Sequence, residues 1–163
     1  MFDTATLQAA EALLDLYRKD RKTLACAESC TGGLISAILT AVPGSSDVVE
    51  RGFVTYSNSA KSEMLGVDPH MIAHHGAVSD AVARAMAAGA IRHSSADVAV
   101  SVTGIAGPGG ATPDKPVGLV FIGWMTRGGV PMAARHVFSG DRQAIREAAA
   151  RQVISTTFVD AVR

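Results

Sequence analysis

A serine stands where a run of small apolar residues gives way to glycines: Thr23-Leu24-Ala25-Cys26-Ala27, then Glu28-Ser29-Cys30-Thr31-Gly32-Gly33. The first segment reads as a short buried strand, and Leu34 to Ala41 reads as a helix, so Ser29 falls at a sharp strand-to-helix turn. A hydroxyl there is open to a substrate. The N–H groups of Thr31, Gly32 and Gly33 can face a developing oxyanion, the helix dipole adds positive potential, and glycines let a ligand approach the main chain. The plainer reading makes Ser29 or Thr31 a helix cap. A nucleophilic serine also needs a base, and Lys61 is the best candidate, because Tyr56-Ser57-Asn58-Ser59-Ala60 before it carries no charge. Lysine is a base only if burial or nearby cations bring its pKa down from about 10.4 toward neutrality. A solvent-facing helix lysine is the alternative. Tyr56 can orient the amine or relay a proton, or simply pack as an aromatic in a β-run.

The remaining candidates are weaker. His70, His74 and His75 lie close together and admit a Ser-His hydrolase, but no H-E-x-x-H pattern or adjoining ligand completes a metal set. Cys30 shares the helix start with Ser29, yet cysteine more often fills a core. Cys26 and Cys30 are spaced C-x-x-x-C with no second pair, which suits two reduced thiols rather than a zinc or redox motif. The loop Gly104 to Gly110 follows a strand and can line a pocket with main-chain donors, but matches neither G-x-x-x-x-G-K-[ST] nor G-x-G-x-x-G. Arg142 and Arg146 fall in the first turns of a helix, where the dipole disfavours cations, so an anion such as a phosphate on Arg142 would account for them.

The elements that must position these residues alternate between strand and helix. Asp3 caps a helix with Leu7, Ala10, Leu13, Leu14 and Tyr17 on one face. Strand two is expected within Asp47 to Ser57, followed by a helix capped by Asn58 or Ser59 and stopped near Gly66. Ser79 caps an Ala-rich helix reaching about Ser94, Val98 to Val102 is strand three, and Val117 to Met125 a further strand. Gly128-Gly129 turns the chain into Val130 to Phe138, giving one antiparallel pair. The last helix starts near Asp141, its apolar stripe running through Ile145, Ala149, Val153, Phe158 and Val162. The whole predicts an α/β sandwich with a mostly parallel sheet covered on both faces. Ligands bind such sheets at the carboxyl ends of the strands, which puts Ser29 and Thr103-Gly104 on one edge.

Composition narrows the class. A chain of 163 residues, 48% hydrophobic and 18% charged, suits one domain spanning 1–163 with its own core. Fifteen basic residues balance fifteen acidic ones, so no global attraction draws it to nucleic acid or an anionic membrane, and a small ligand fits better. Near-zero net charge also favours self-association. No apolar stretch approaches the ~20 residues of a membrane span and no basic leader precedes one, so a cytoplasmic protein is expected.

Taken together, Ala27-Glu28-Ser29-Cys30-Thr31-Gly32-Gly33, Tyr56 to Lys61, Val102-Thr103-Gly104-Ile105-Ala106-Gly107-Pro108-Gly109-Gly110, Lys115-Pro116-Val117-Gly118 and Phe138-Ser139-Gly140-Asp141-Arg142 resemble the C-terminal domain of the competence/damage-inducible protein CinA. Stand-alone members of that family are nicotinamide mononucleotide deamidases, and the match runs in order along nearly the whole chain. The resemblance implies a three-layer α/β/α fold with a mixed sheet of about five strands, no metal or cofactor, a homodimer, and conversion of nicotinamide mononucleotide to nicotinate mononucleotide and ammonia. By the same resemblance Ser29 attacks the carboxamide, Lys61 moves the proton and Tyr56 assists. Thr31 and Gly32 sit at the oxyanion beside Gly33, Thr103, Gly104 and Gly107 line the nucleotide pocket, and Arg142 meets the phosphate. The longer members' extra N-terminal domain, similar to molybdopterin-binding proteins, is absent from this sequence. The alternative of another class is a non-catalytic nucleotide-binding module on the same fold.

Overall fold

The computed structural model describes residues 1–155. Asp3 accepts the Thr6 N–H at 2.7 Å and starts α1 (Thr4–Lys19), which feeds β1 (Leu24–Glu28) and then α2 (Leu34–Thr40). After a single 3-10 turn come β2 (Val49–Val54), α3 (Asn58–Leu65), α4 (Pro69–His75) and α5 (Asp80–Arg92). The described residues continue with β3 (Val98–Gly104), β4 (Leu119–Thr126), β5 (Met132–Val137) and α6 (Arg142–Ile154).

The five strands form one sheet in the order β2-β1-β3-β4-β5, with β1 parallel to β2 and β3, and β3-β4 and β4-β5 antiparallel. The sheet is therefore mixed, and β4 is the one strand that runs against the other four. Side chains alternate across it as a two-residue period requires. Leu24 and Cys26 of β1 and Val98, Val100 and Val102 of β3 enter a core with Leu13 and Leu14 of α1, Ile35 and Leu39 of α2, and Ile145 and Val153 of α6. Ala25, Ala27 and Ala99 face the opposite way, toward Leu65 of α3, Ile72 of α4 and Val82, Met86 and Ala90 of α5. These are the two helical layers of a three-layer sandwich. Each fully buried Leu or Ile contributes roughly 1.5–3 kcal/mol, so both layers are anchored by packing rather than helix propensity.

Several boundaries move from their expected places. Strand two is shorter than Asp47 to Ser57 because Ser45–Asp47 is the 3-10 turn and Ser57 is already a helix cap. The Ser57 hydroxyl accepts the Ala60 N–H at 3.0 Å, so the cap of α3 is Ser57 and not Asn58 or Ser59. Gly66 ends that helix with φ of 67°, as a glycine C-cap does. α4 is an additional short helix that carries His70, His74 and His75. Phe158 and Val162 of the expected last stripe lie outside the described residues.

Candidate active site

Ser29 is held at the sheet edge by the two ladders that flank β1. Its N–H donates to Val102 O at 2.9 Å, extending the pairing with β3, while Glu28 O accepts the Thr55 N–H at 2.8 Å, extending the pairing with β2. The chain then leaves the sheet through Gly32 and Gly33, whose φ values of 58° and 97° are strained for any residue with a side chain. This geometry turns the serine out of the strand before α2 begins.

Neither Ser29 nor Thr31 caps that helix. Glu28 does so instead: its carboxylate accepts the N–H groups of Gly33 (3.1 Å), Ile35 (3.0 Å) and Ser36 (2.8 Å), and the Ser36 hydroxyl at 2.8 Å. The side chain is 1% exposed. An ionised carboxylate among helix N-terminal donors is stabilised both by the hydrogen bonds and by the helix dipole. Glu28 follows Leu24 and Cys26 in the alternation of β1, so it points inward, and an inward acid always requires partners. That was the available sequence signal for it.

Lys61 lies in the first turns of α3 and points into the protein. Gly89 of α5 lacks the Cβ that would collide with the Leu65 carbonyl, so α3 packs close to α5. The Lys61 amine is 3.0 Å from Ser29 Oγ, 3.0 Å from the Thr55 carbonyl and 3.5 Å from the Tyr56 carbonyl. Lys61 is 1% exposed and Ser29 8%, so the hydroxyl is the group offered to a ligand and the amine stands behind it. Among the described residues no carboxylate forms an ion pair with Lys61. Desolvation pushes its pKa below the ordinary lysine value, with the Cys30 sulfur opposing in part. A neutral amine suits this surrounding: its two hydrogens match the two carbonyls and its lone pair matches the serine O–H. Cys30 is a poor rival nucleophile, since burial pushes its thiol up to about 11. The histidines of α4 are exposed, and among the described residues none bonds to Ser29.

A serine hydrogen-bonded to a buried, unpaired lysine at a glycine turn agrees with the family's motif, and comparison with known proteins decides the membership. The CinA C-terminal domain model matches residues 6–158. The chain belongs to the CinA C-terminal domain family. It is 44% identical to the nicotinamide-nucleotide amidohydrolase PncC of Escherichia coli K12, over 96% of this chain and 94% of that protein. It is 48% identical to a CinA-like protein of Akkermansia muciniphila, but spans only 36% of that longer protein. The solved competence/damage inducible protein CihA of Agrobacterium tumefaciens superimposes with a TM-score of 0.94 at 40% identity, covering 100% of this chain and 99% of its own. A CinA superfamily structure from Escherichia coli gives 0.89 at 31% identity, over 97% and 92% of the two chains.

The other motif residues of this family member divide into two groups. Tyr56 is 60% exposed and its phenol accepts from Arg142 Nη2 at 2.8 Å, so its side chain sits beside Arg142, while its carbonyl faces Lys61. Arg142 also donates to Gly107 O at 2.8 Å, and among the described residues it has no carboxylate partner. Asp141 caps α6, its side chain accepting the Ala144 N–H at 2.9 Å. Gly107 is thus joined to the site through its carbonyl. Thr103 and Gly104 reach the same sheet edge but are engaged by the fold: the Thr103 hydroxyl donates to Ala77 O at 2.8 Å, and a Cβ on Gly104 would lie 2.7 Å from a Val120 methyl. Gly32 and Gly33 likewise spend their N–H groups on Ser29 O, at 3.0 Å, and on Glu28. Thr31 is fully buried with its hydroxyl unpartnered in the protein. Among the described residues, no helix is long and apolar enough to cross a membrane and no cluster of three His, Cys, Asp or Glu could hold a metal.

Proposed function

We propose that this chain hydrolyses the carboxamide of nicotinamide mononucleotide, giving nicotinate mononucleotide and ammonia. The observation that carries the reading is the buried, unpaired Lys61 amine 3.0 Å from Ser29 Oγ. Neutral Lys61 removes the Ser29 proton as Oγ bonds to the carboxamide carbon. The resulting ammonium returns that proton to the leaving nitrogen, the C–N bond breaks, and ammonia departs. Water then attacks the Ser29 ester, Lys61 takes its proton and passes it back to Oγ, and the acid is released. The Thr55 and Tyr56 carbonyls hold the amine in line throughout and favour its transiently charged form. Tyr56 serves here by seating Arg142, and the unpaired guanidinium takes the phosphate of the substrate. The amidohydrolase name carried by a relative that matches along nearly its full length supports the same substrate. The reading includes a cytoplasmic homodimer, for which Val54 on edge strand β2 and Met132 and Val137 on edge strand β5 supply exposed apolar surface.

The test is direct. Pure protein incubated with nicotinamide mononucleotide should release ammonia and convert the nucleotide to a product one mass unit heavier; binding by calorimetry without product would make the chain a nucleotide-binding module instead. Arg142→Ala should raise KM for nicotinamide mononucleotide by roughly 10–100-fold, the worth of a charge-assisted hydrogen bond. The same variant should leave kcat/KM for the riboside, which lacks the phosphate, within about twofold. Equal losses on both substrates would remove Arg142 from the phosphate.

A further inference from the structure

We infer that the chain is also an acyltransferase: the acyl group that Ser29 takes from a carboxamide passes to small uncharged amines as well as to water. The inference rests on the acyl-enzyme reading above and extends it to a second class of acceptor. Among the described residues the Lys61 amine, 3.0 Å away, is the one amine, imidazole or carboxylate hydrogen-bonded to Ser29 Oγ. The other candidates are committed elsewhere. The Glu28 carboxylate is buried and takes up four donors at the start of α2, and burial pushes the Cys30 thiol up to about 11. Lys61 itself is enclosed: the Thr55 and Tyr56 carbonyls accept its hydrogens at 3.0 and 3.5 Å, and its lone pair is directed at Oγ. One atom, reached from one side, therefore serves both half-reactions.

The nitrogen that leaves during acylation must take its proton from Lys61, so it departs next to Oγ. The molecule that attacks the ester must give its proton to Lys61, so it enters the place that ammonia has left. Water and ammonia are nearly the same size, and a site tells such molecules apart only by hydrogen-bonding groups built for one of them. Among the described residues no second side-chain base is bonded to Oγ to select water. Ammonia fits there, since it leaves from there, and an uncharged amine is a stronger nucleophile toward an ester than water. The step balances as the reverse of acylation: the amine nitrogen bonds to the acyl carbon, its proton goes to Lys61, the C–Oγ bond breaks, and Lys61 returns the proton to Oγ. Ser29 is 8% exposed, so the opening admits small acceptors. Ammonia as acceptor regenerates the carboxamide, and hydroxylamine gives the hydroxamate.

In the experiment, pure protein receives nicotinamide mononucleotide and increasing hydroxylamine near neutral pH, where hydroxylamine is uncharged, with Ser29→Ala as the background. The expected products are the acid and the hydroxamate, told apart by mass, the acid falling by about twofold or more as the hydroxamate rises. Nicotinamide mononucleotide recovered part-way from a reaction in heavy-nitrogen ammonia should carry the label. O-benzylhydroxylamine, uncharged but bulky, should accept about tenfold less than hydroxylamine. Normal ammonia release with the acid as sole product in both media would overturn the inference. Equal transfer to the bulky amine would overturn it too, by putting the acceptor outside the seat of ammonia. If nicotinamide mononucleotide is not consumed, the substrate reading fails, and p-nitrophenyl acetate, which loads Ser29 without a nucleotide, judges transfer by the acetohydroxamate formed above the Ser29→Ala background. An absence of Ser29-dependent hydroxamate from that ester would then overturn the inference as well.

Discussion

Replacing Lys61 by methionine should lower kcat/KM by roughly 10³–10⁴-fold while leaving the fold at least as stable near neutral pH. On the proposed mechanism the activity loss follows from removing the one amine within hydrogen-bond reach of Ser29 Oγ among the described residues. Ser29→Ala should cost about as much, and the double variant little more, because the two groups act as one unit. The stability half follows from burial. An amine 1% exposed with no counter-ion among the described residues is costly to charge, and methionine fills similar volume without that cost. The Thr55 carbonyl loses a donor, but under-satisfied carbonyls are the more tolerated kind of orphan.

The pH dependence separates this from a simple packing effect. Lys61 has a folded pKa below its ordinary value of 10.5, so the unfolded chain binds that proton more tightly. Wild-type stability relative to Lys61→Met must then rise as pH increases from the folded pKa toward 10.5, and level off above it. The kcat/KM profile should show a basic limb in the same direction, activity climbing as the amine loses its proton, at a pH lower than a free lysine would give. Urea unfolding of both proteins across alkaline pH measures the first, and initial rates the second. A stability difference that stays flat over that window would mean the lysine is charged in the folded enzyme, and Lys61 could not be the base.

Ser29 was legible because everything that places it is local: the strand ends there, and two glycines with positive φ follow. The shared edge with Thr103 was legible from the βαβ order alone, since parallel neighbours deliver their carboxyl ends together. Lys61 was visible only as a charge that follows five uncharged residues, Tyr56 to Ala60. Its burial depends on α3 meeting α5 at Gly89 and on the Thr55 carbonyl, and a main-chain acceptor leaves no mark on residue identity. The same blindness explains the arginines. Arg142 and Arg146 are one helical turn apart and suggested one anion, yet the fold sends Arg146 to the Cys30 and Thr31 carbonyls and Arg142 to Tyr56 and the Gly107 carbonyl. At Gly104 the close approach of β4 is itself a reason for the missing side chain, and that neighbour could not be read from the local sequence.

Glu28→Ala should be the most destabilising single change near the site, at about 3–5 kcal/mol, because several buried donors lose one acceptor at once. The substitution strands three N–H groups and the Ser36 hydroxyl at the buried start of α2, each of which costs about 1–3 kcal/mol if nothing replaces the acceptor. The sum exceeds the expected loss because water entering the vacated space recovers part of it. Against a total stability of about 5–15 kcal/mol for a domain, this alone can bring the protein near its unfolding threshold. Glu28→Gln keeps the volume and one acceptor oxygen but turns an NH2 donor toward another donor, so a smaller loss of about 1–3 kcal/mol is expected. Activity should follow a different order from stability: with Ser29 tied to Val102 O and Thr55 N–H tied to Glu28 O through the main chain, folded Glu28→Gln should keep the Ser29–Lys61 contact and lose rate through the loosened turn at Gly33. Urea denaturation of the two variants reads the first claim, and kcat under conditions where each is folded reads the second. A loss below about 1 kcal/mol for Glu28→Ala would mean that α2 does not depend on this carboxylate, and the turn after Ser29 would need another anchor.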